Sequence, residues 1–382
     1  MLGETAPTSQ SLGFYIHVPF CVARCHYCSF NTRPMERDEM ARYLGALRRE
    51  LDLLATTAWA TRIEVETIFL GGGTPSLLSA DELAAILDQV RARFRVATGA
   101  ELTVECNPES VTPATLRGYR EAGVNRLSLG VQSTDDAILA RLGRLHTARQ
   151  ARRAFEAARA EGFGNLSIDL MYGLPDLDVA AWRRAIDTVL DWGPDHISAY
   201  GLALDPGSLW GSRRVDGLPH EDTVVAQYWE LAGVAAARGL EHYEISNYAR
   251  PGFRSRHNQI YWRAAEYLAA GPGACGFVGD LRYQNAKPLA RYCEDLERLT
   301  LPVDSFERLT PRQRLSERLI LGLRTMDGIP AAWLAERLSG HARLDDHVEA
   351  WRAQGLLREA DGRIRLTESG FLLSDALFVE LL

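Results

Sequence analysis

The sequence predicts an α/β fold, namely a partial (βα)6 TIM-like barrel followed by a helical, winged-helix-like C-terminal domain. In the first two thirds of the chain, short apolar runs alternate six times with amphipathic stretches, which is the order of parallel βαβ units. Several of these runs alternate polar and apolar residues, so one face of the strands could line a lumen. An open doubly wound sheet is the alternative, because periodicity alone does not separate the two architectures.

The elements can be placed one by one. The predicted strands are short apolar runs, at Phe14–Val18, Thr67–Leu70, Leu102–Glu105, Arg126–Val131, Leu166–Met171 and His196–Leu202. The helices between them show apolar residues at helical spacing, over Arg37–Leu54, Ala80–Phe94, Pro113–Glu121, Ala148–Ala160 and Ala180–Leu190. From residue 310 onward, three helical patterns precede an "ADG" turn and a short strand, which is the order of a winged-helix module.

Four segments are therefore predicted. Residues 1–10 form a disordered lead, and residues 11–245 form the barrel. Residues 246–309 are expected to be irregular, because "HYEISNYARPGFRSRHNQIYW" is aromatic and polar and "YLAAGPGACGFVGD" is rich in glycine. Residues 310–382 form the helical C-terminal domain, which we expect to serve as a packing or cap domain.

Composition excludes several classes of protein. Of the 382 residues, 46% are hydrophobic and 24% are charged, as in an ordinary globular protein. The formal net charge of −7 argues against nucleic-acid binding. No apolar run reaches the length of about 18 residues that a membrane span needs, and the first residues lack the features of a signal peptide. We therefore expect a cytoplasmic protein whose six cysteines stay reduced.

Half of the cysteines lie in one short stretch. Cys21, Cys25 and Cys28 have the spacing C-x3-C-x2-C, and thiolates at such spacing suit zinc or an iron–sulfur cluster. A structural zinc needs four ligands, and the only nearby candidate for the fourth is His26, which is directly adjacent to Cys25. A [4Fe–4S] cluster with three protein ligands leaves one iron open to a small molecule. The spacing therefore favours the cluster.

Polar residues and glycines follow the predicted strands at their carboxyl ends. The "GGGTPS" loop, Gly71–Ser76, lets the backbone approach a ligand closely. Glu105, Gln132 and Asp169 lie at or near the ends of three later strands. In a parallel barrel these ends meet at one rim. The set suits a ligand that carries hydroxyl, amino and carboxylate groups, and Arg144 can bind the carboxylate.

These motifs resemble a known family. The cysteine spacing, with Tyr27 before the last cysteine, and the "GGGTP" loop resemble the radical S-adenosylmethionine superfamily. The stretches "FYIHVPFC", "VECNPE", "RLSLGVQS", "LGRLH" and "IDLMYGLP" resemble its coproporphyrinogen oxidase-like branch, and the similarity extends to the C-terminal module. The resemblance implies a [4Fe–4S] cluster on Cys21, Cys25 and Cys28. It also implies S-adenosylmethionine contacts from Tyr15, Tyr27, Gly72, Gly73, Thr74, Glu105, Gln132, Arg144, Asp169 and Ala203.

Two functions compete within that branch. The oxygen-independent coproporphyrinogen III oxidases carry out a radical oxidative decarboxylation in porphyrin biosynthesis, whereas the heme chaperones bind heme and transfer it to apo-proteins. The oxidases usually have a longer N-terminal lead and an extra cysteine where this chain has Phe30. The chaperones carry an H-N-x-x-Y-W motif, which is "HNQIYW" here, His257–Trp262. We therefore expect a heme chaperone without coproporphyrinogen oxidase activity, with the oxidase as the alternative.

The resemblance also implies partners. His257 would be the axial ligand of heme, with a hydrogen-bonded structural histidine as the alternative. Relatives commonly have histidine at the position of Cys275, so its thiolate is a further candidate. Expected partners are heme, apo-heme proteins such as respiratory enzymes, and a reductant such as flavodoxin or ferredoxin, and a homodimer is also considered. A third interpretation, a DNA-binding regulator, is disfavoured by the net charge.

Overall fold

The computed structural model describes residues 2–3, 5–339 and 341–381. Its strands, numbered in chain order, are β1 (Ser11–Val18), β2 (Phe20–Cys21), β3 (Arg33–Pro34), β4 (Glu64–Gly72), β5 (Arg95–Cys106), β6 (Arg126–Gln132), β7 (Leu166–Tyr172), β8 (His196–Gly201), β9 (Glu241–Glu244), β10 (Asn247–Ala249), β11 (Tyr267–Ala270), β12 (Cys275–Val278), β13 (Leu281–Asn285), β14 (Val303–Arg308), β15 (Ile329–Pro330), β16 (Leu357–Ala360) and β17 (Arg363–Leu366).

The helices are numbered in the same way. They are α1 (Arg37–Ala55), α2 (Ala80–Arg93), α3 (Pro113–Glu121), α4 (Asp136–Leu142), α5 (Ala148–Ala160), α6 (Val179–Asp191), α7 (Glu221–Ala237), α8 (Arg256–Trp262), α9 (Leu289–Glu297), α10 (Pro311–Leu323), α11 (Ala331–Leu338), α12 (Ala342–Ala353), α13 (Glu368–Leu372) and α14 (Ser374–Leu381). The N-termini of α2 and α5 carry capping boxes, in which Ser79 pairs with Glu82 and Thr147 with Gln150.

One large sheet organises the molecule. Its twelve strands have the order β14-β13-β12-β11-β1-β4-β5-β6-β7-β8-β10-β9. Strands β1 and β4 to β8 are parallel and adjacent in chain order. A doubly wound sheet reverses its strand order at a switch point, whereas an uninterrupted order is that of a barrel made of successive βα units. The predicted α/β class and partial barrel are therefore confirmed, and the carboxyl ends of six strands meet at one rim.

The segment 246–309 is not irregular, and this prediction was wrong. Strand β11 pairs in parallel with β1, with Gly13 opposite Tyr267. Strands β12, β13 and β14 continue the sheet in antiparallel pairs. Strands β11 to β14 are only four to six residues long. Turns with positive-φ glycines, such as Gly271 and Gly279, separate them. Such short strands show too little alternation to be recognised in the sequence.

The lead of residues 1–10 is packed against the barrel in its described part, so the prediction of disorder was also wrong. Leu2 is buried, and its carbonyl accepts a hydrogen bond from Trp59 Nε1 at 3.0 Å. The backbone N–H groups of Thr8 and Ser9 donate to the Glu266 carboxylate at 3.0 and 2.8 Å. The sequence of the lead is polar and gives no sign of these contacts, because their partner Glu266 lies far along the chain.

The C-terminal domain has the predicted helical, winged-helix-like order. The helices α10, α11 and α12 precede the hairpin β16–β17, which β15 extends to a three-stranded sheet. Trp351 and Phe371 belong to an apolar core that is separate from the main one. In the described part of the chain, no helix has the length and hydropathy needed to cross a membrane.

Candidate functional site

The cysteine loop, residues 21–28, leaves the rim directly after β1. Its turns are closed by backbone hydrogen bonds, from Met35 N–H to the Cys21 carbonyl at 2.9 Å and from Cys28 N–H to the Cys25 carbonyl at 3.2 Å. The three thiols are free and half-buried. Burial raises the pKa of Cys21 and of Cys28, and the Thr74 hydroxyl, 3.5 Å from Cys21 Sγ, partly opposes this at Cys21.

The zinc alternative finds no support in the geometry. The His26 ring bonds through Nδ1 to the Arg141 carbonyl at 2.9 Å, so it is held against α4. Among residues 2–3, 5–339 and 341–381, no three His, Cys, Asp or Glu side chains gather as ligands of one metal ion. A [4Fe–4S] cluster distributes its ligands over separate iron atoms, so its thiolates do not have to converge on one point.

A first cavity of about 420 Å3 opens beneath this loop. We call it the cluster cavity. It brings together most of the residues that the sequence singled out, although these lie on separate strands and loops. Its lining includes Cys21, Cys25, Tyr27, Cys28, Gly72, Gly73, Thr74, Glu105, Gln132, Arg144, Asp169 and Ala203. The thiols of the cysteine loop therefore lie at one side of the cavity. The polar residues from the strand ends and the glycine loop form its other side, which we call the floor.

The glycine loop can pack closely at the floor because Gly72 and Gly73 have no side chains. Gly72 has a φ of +111°, and a Cβ there would lie 2.4 Å from the ring of His17. A Cβ on Gly73 would lie 2.6 Å from the carbonyl oxygen of Phe20. The N–H of Gly72 donates to Glu105 Oε2 at 3.0 Å. The two glycines therefore allow the end of β4 to pack against the base of the cysteine loop.

Two half-buried carboxyl groups form the centre of the floor. Burial, together with the nearby Asp169 charge, raises the pKa of Glu105 to about 7. Burial also raises the pKa of Asp169, which accepts hydrogen bonds from Ser128 Oγ at 2.9 and 3.2 Å. Gln132 ends β6 with a φ of +65°, at a register shift between β6 and β7. The floor can therefore accept hydrogen bonds and hold positive charge.

Arg144 supplies the cation of the site. Its Nη1 lies 3.4 Å from Cys25 Sγ, and its Nη2 donates to Asn107 Oδ1 at 2.7 Å and to the Gly130 carbonyl at 2.8 Å. Its Nε is buried and has no hydrogen-bond partner in the described structure. A half-buried guanidinium that lies beside a thiol and has one unsatisfied N–H donor suits an anionic ligand in the cavity.

Two predicted residues lie outside the cluster cavity. Tyr15 lines a neighbouring cavity, and its OH is 2.9 Å from His17 Nδ1. His257 is buried in α8, and both ring nitrogens are occupied, Nδ1 by Thr67 Oγ1 at 2.7 Å and Nε2 by the Tyr261 OH at 2.8 Å. Burial lowers the pKa of His257 to about 3. As placed here, the His257 ring offers no free nitrogen to a metal.

The structure adds lining residues that the sequence analysis did not name. Asn107 and Ser128 lie beside the predicted acids, and Met171 and Tyr200 come from the ends of β7 and β8. The alternation in "RLSLGVQ" places Ser128 on the same strand face as Gln132, which is a signal that could have found it. Tyr200 carried no such signal, because aromatic residues are common in strands.

Comparison with known proteins identifies both domains of the chain. The model of the radical SAM superfamily matches residues 15–189, and that of the HemN C-terminal domain matches residues 309–373. A solved structure, coproporphyrinogen III oxidase (HemN) from Escherichia coli, has the same fold with a TM-score of 0.86. It is 22% identical over 97% of this chain and 90% of its own. Fold and site together define a protein of the radical S-adenosylmethionine superfamily.

The chain belongs to the HemW family within that superfamily. It is 41% identical to the heme chaperone HemW of Mycobacterium tuberculosis over 98% of this chain and 95% of the relative. It is 35% identical to the heme chaperone HemW of Escherichia coli over 96% of this chain and 97% of the relative. A mitochondrial radical S-adenosyl methionine domain-containing protein 1 of Bos taurus is 36% identical, over 99% and 88%.

Membership in the superfamily implies a [4Fe–4S] cluster and S-adenosylmethionine as cofactors. The donor set fits both groups. Three half-buried thiols face the cluster cavity, where they could hold three irons and leave the fourth open. Arg144, with its unpartnered buried Nε, and the acids Glu105 and Asp169 face the same space, so a zwitterionic amino acid finds partners for both its charges.

Proposed function

We propose that this protein is a heme chaperone, which binds heme and transfers it to apo-proteins. The observation that carries the proposal is the similarity to proteins named heme chaperone HemW, at 31–41% identity over nearly the whole chain. Under this proposal, Cys21, Cys25 and Cys28 hold the cluster. Apo-heme proteins, among them respiratory enzymes, are the recipients of the heme.

The cluster cavity would serve S-adenosylmethionine. Bound together, the cluster and S-adenosylmethionine supply one-electron chemistry, for which the chain needs a reductant such as flavodoxin or ferredoxin. Arg144 binds the carboxylate of the amino acid part, and the backbone of Gly72 and Gly73, which lines the cavity, contacts it. Glu105 and Asp169 accept hydrogen bonds from its amino and hydroxyl groups. Tyr27, Thr74, Gln132 and Ala203 complete the contacts.

Two residues compete as the iron ligand of heme. His257 reaches an iron only after its hydrogen bonds to Thr67 and Tyr261 break. Cys275 is exposed, and its Sγ accepts a hydrogen bond from Gln284 Nε2 at 3.2 Å. We keep His257 as the proposed ligand from the H-N-x-x-Y-W motif, with Cys275 as the competing candidate.

The alternative is an oxygen-independent coproporphyrinogen III oxidase. The structural similarity to HemN concerns the fold alone at 22% identity, so it does not favour this activity. Phe30 stands where the oxidases have an extra cysteine, and its side chain is 65% exposed beside the cluster cavity. An exposed phenyl ring at that position provides no metal ligand.

One anaerobic comparison tests the proposal. The reconstituted protein is titrated with heme, followed by its Soret band, and is then mixed with an apo-globin as acceptor. We expect saturable heme binding and transfer, and no conversion of coproporphyrinogen. Protoporphyrinogen formation would establish the oxidase instead.

The Cys25→Ala variant should lose cluster iron, whereas the Cys275→Ala variant should retain it. Unchanged heme affinity in His257→Ala would remove His257 as the ligand.

A further inference from the structure

A second cavity lies against the cluster cavity. Its volume is about 570 Å3, within the range of about 300–1,000 Å3 that small-molecule sites occupy. We call it the outer cavity. It shares part of its lining with the cluster cavity, namely Arg24, Ser29, Phe30, Thr32, Gly72 and Glu105. Tyr15, His17, Asn31, Gly273 and Lys287 line it alone.

Two cations of the outer cavity have no carboxylate partner. Lys287 is the single lysine of the chain, and within the described residues its ammonium pairs with no carboxylate; its charge acts on the Cys275 thiol and partly opposes the burial that raises the pKa of that thiol. The Arg24 guanidinium donates only to backbone carbonyls, those of Cys28 at 3.2 Å and Gly207 at 3.1 Å. Glu105, the one acid in the lining, is half-buried and accepts a hydrogen bond from Gly72 N–H. The cavity can therefore bind carboxylate groups.

The backbone that carries Lys287 is held rigidly. Asn31 Nδ2 donates to the Pro272 carbonyl at 3.0 Å and to the Lys287 carbonyl at 3.1 Å. The Asn31 carbonyl in turn accepts from His17 Nε2 at 2.9 Å. A Cβ on Gly273 would lie 2.7 Å from Asn31 Nδ2, so only glycine allows this approach. The contacts fix the lysine backbone beside the cysteine loop and leave its ammonium free for a ligand.

One large apolar side chain is exposed at the boundary between the two cavities. Phe30 is 65% exposed and lines both of them. An exposed phenyl ring beside two cations without carboxylate partners matches a planar ring system that carries two carboxylates. Heme has this chemistry, with an apolar macrocycle and two propionates.

We propose that the outer cavity is the docking site of heme, with Lys287 and Arg24 binding its propionates and Phe30 contacting the face of the macrocycle. This inference rests on the proposed function, because it names the place and the contacts of the same cargo. It assigns no iron ligand, and it places heme next to the cluster cavity but outside it.

The test compares heme with heme dimethyl ester, in which both propionates are esterified and carry no charge. The full-length, reconstituted protein is titrated with each compound as wild type, Lys287→Gln, Lys287→Arg, Arg24→Gln and, as control, Arg298→Gln. Arg298 is an exposed arginine at the end of α9 that lines neither cavity. We expect Lys287→Gln to weaken heme binding about tenfold, the loss of roughly one charge-assisted hydrogen bond, and Lys287→Arg to restore it.

Heme dimethyl ester should bind the wild type and Lys287→Gln equally well, and the Soret maximum should not move. If wild type binds heme but Lys287→Gln and Arg24→Gln bind it equally tightly, the inference is overturned and the chaperone function stands. A shifted Soret maximum in Lys287→Gln, together with weaker ester binding, would also overturn it, because Lys287 would then be an iron ligand. If wild type shows no saturable heme binding, the proposed function fails, and the inference with it.

Discussion

Single residues show how burial changes the chemistry that a residue type suggests. His257 belongs to a motif that suggests a metal ligand, yet it lies stacked on Phe69, with 5.1 Å between ring centroids, and bonds to Thr67 and Tyr261. Because burial lowers the pKa of His257 to about 3, its ring stays neutral in the folded protein at neutral pH. The ring stacking and the two hydrogen bonds therefore give His257 a structural role that does not depend on a ligand.

The low pKa of His257 predicts an acid-dependent loss of stability. The unfolded state takes up a proton near pH 6.5 and the folded state only near pH 3, so the free energy of unfolding falls as the pH falls through this window. His257→Gln should remove a slope of up to about 1.4 kcal/mol per pH unit. Urea unfolding at a series of pH values measures it. His220→Gln, at an exposed histidine, is the control and should keep the wild-type slope.

At the scale of elements, Glu50 of α1 holds together parts that are distant in sequence. Its carboxylate accepts from Gly271 N–H at 2.8 Å, from Tyr292 OH at 2.6 Å and from Asn285 Nδ2 at 2.5 Å. These partners lie after β11, in α9 and in β13. A single buried acid thus fixes α1 against the turn that leads to the outer cavity.

Glu50 gives a pH dependence of the opposite sign. Burial raises the pKa of Glu50 to about 7, whereas in the unfolded chain it is about 4.5. The folded state therefore binds the extra proton, and the free energy of unfolding falls as the pH rises from about 4.5 to 7, by up to about 3 kcal/mol. Glu50→Gln should flatten this part of the profile. Thermal unfolding between pH 4.5 and 7.5 measures it, and an equally steep profile in the variant would contradict the assignment.

The elements also show where the sequence was informative. The six parallel strands were predicted because each is an apolar run with a helix after it, and the special residues marked their ends. Strands β11 to β14 were missed because they are short and find their partners only through β1. Lys287 could not be placed for the same reason, since its position depends on the path of β12 and β13 and on Asn31, 256 residues away. The local sequence pattern therefore predicts single strands and helices. It does not predict the outer cavity, because that cavity depends on contacts between residues far apart in the sequence.

At the scale of the whole molecule, the C-terminal domain meets the barrel through a polar contact. Glu368 of α13 accepts from the Tyr228 OH and from His242 Nδ1, each at 3.1 Å. His242 is stacked on Tyr248 of β10, with 4.4 Å between ring centroids. The hydrogen bond with His242 lowers the pKa of Glu368. This contact ties the domain to the end of the sheet that lies farthest from the outer cavity.

Removal of that contact should loosen the domain. Glu368→Gln should lower the free energy of unfolding by about 1 kcal/mol, a small value because the carboxyl group is partly exposed. Limited proteolysis should then cut between the barrel and the domain sooner than in wild type. Asp375→Asn is the matched control, because Asp375 pairs with Arg324 but is 84% exposed. Equal protection of Glu368→Gln and wild type would show that the other contacts of the domain, such as the Arg254–Asp327 ion pair and the hydrogen bond from Ile245 N–H to the Arg324 carbonyl, are sufficient to hold it.

Phe30 and its neighbours form a wall that the two cavities share, and this has a thermodynamic consequence. A ligand on one side restricts the side chains that the other ligand meets, so the two binding equilibria are linked. Linkage is reciprocal: the factor by which S-adenosylmethionine changes the affinity for heme equals the factor by which heme changes the affinity for S-adenosylmethionine. With heme docked in the outer cavity, S-adenosylmethionine would act as an effector that sets how firmly heme is held before its transfer to an apo-protein.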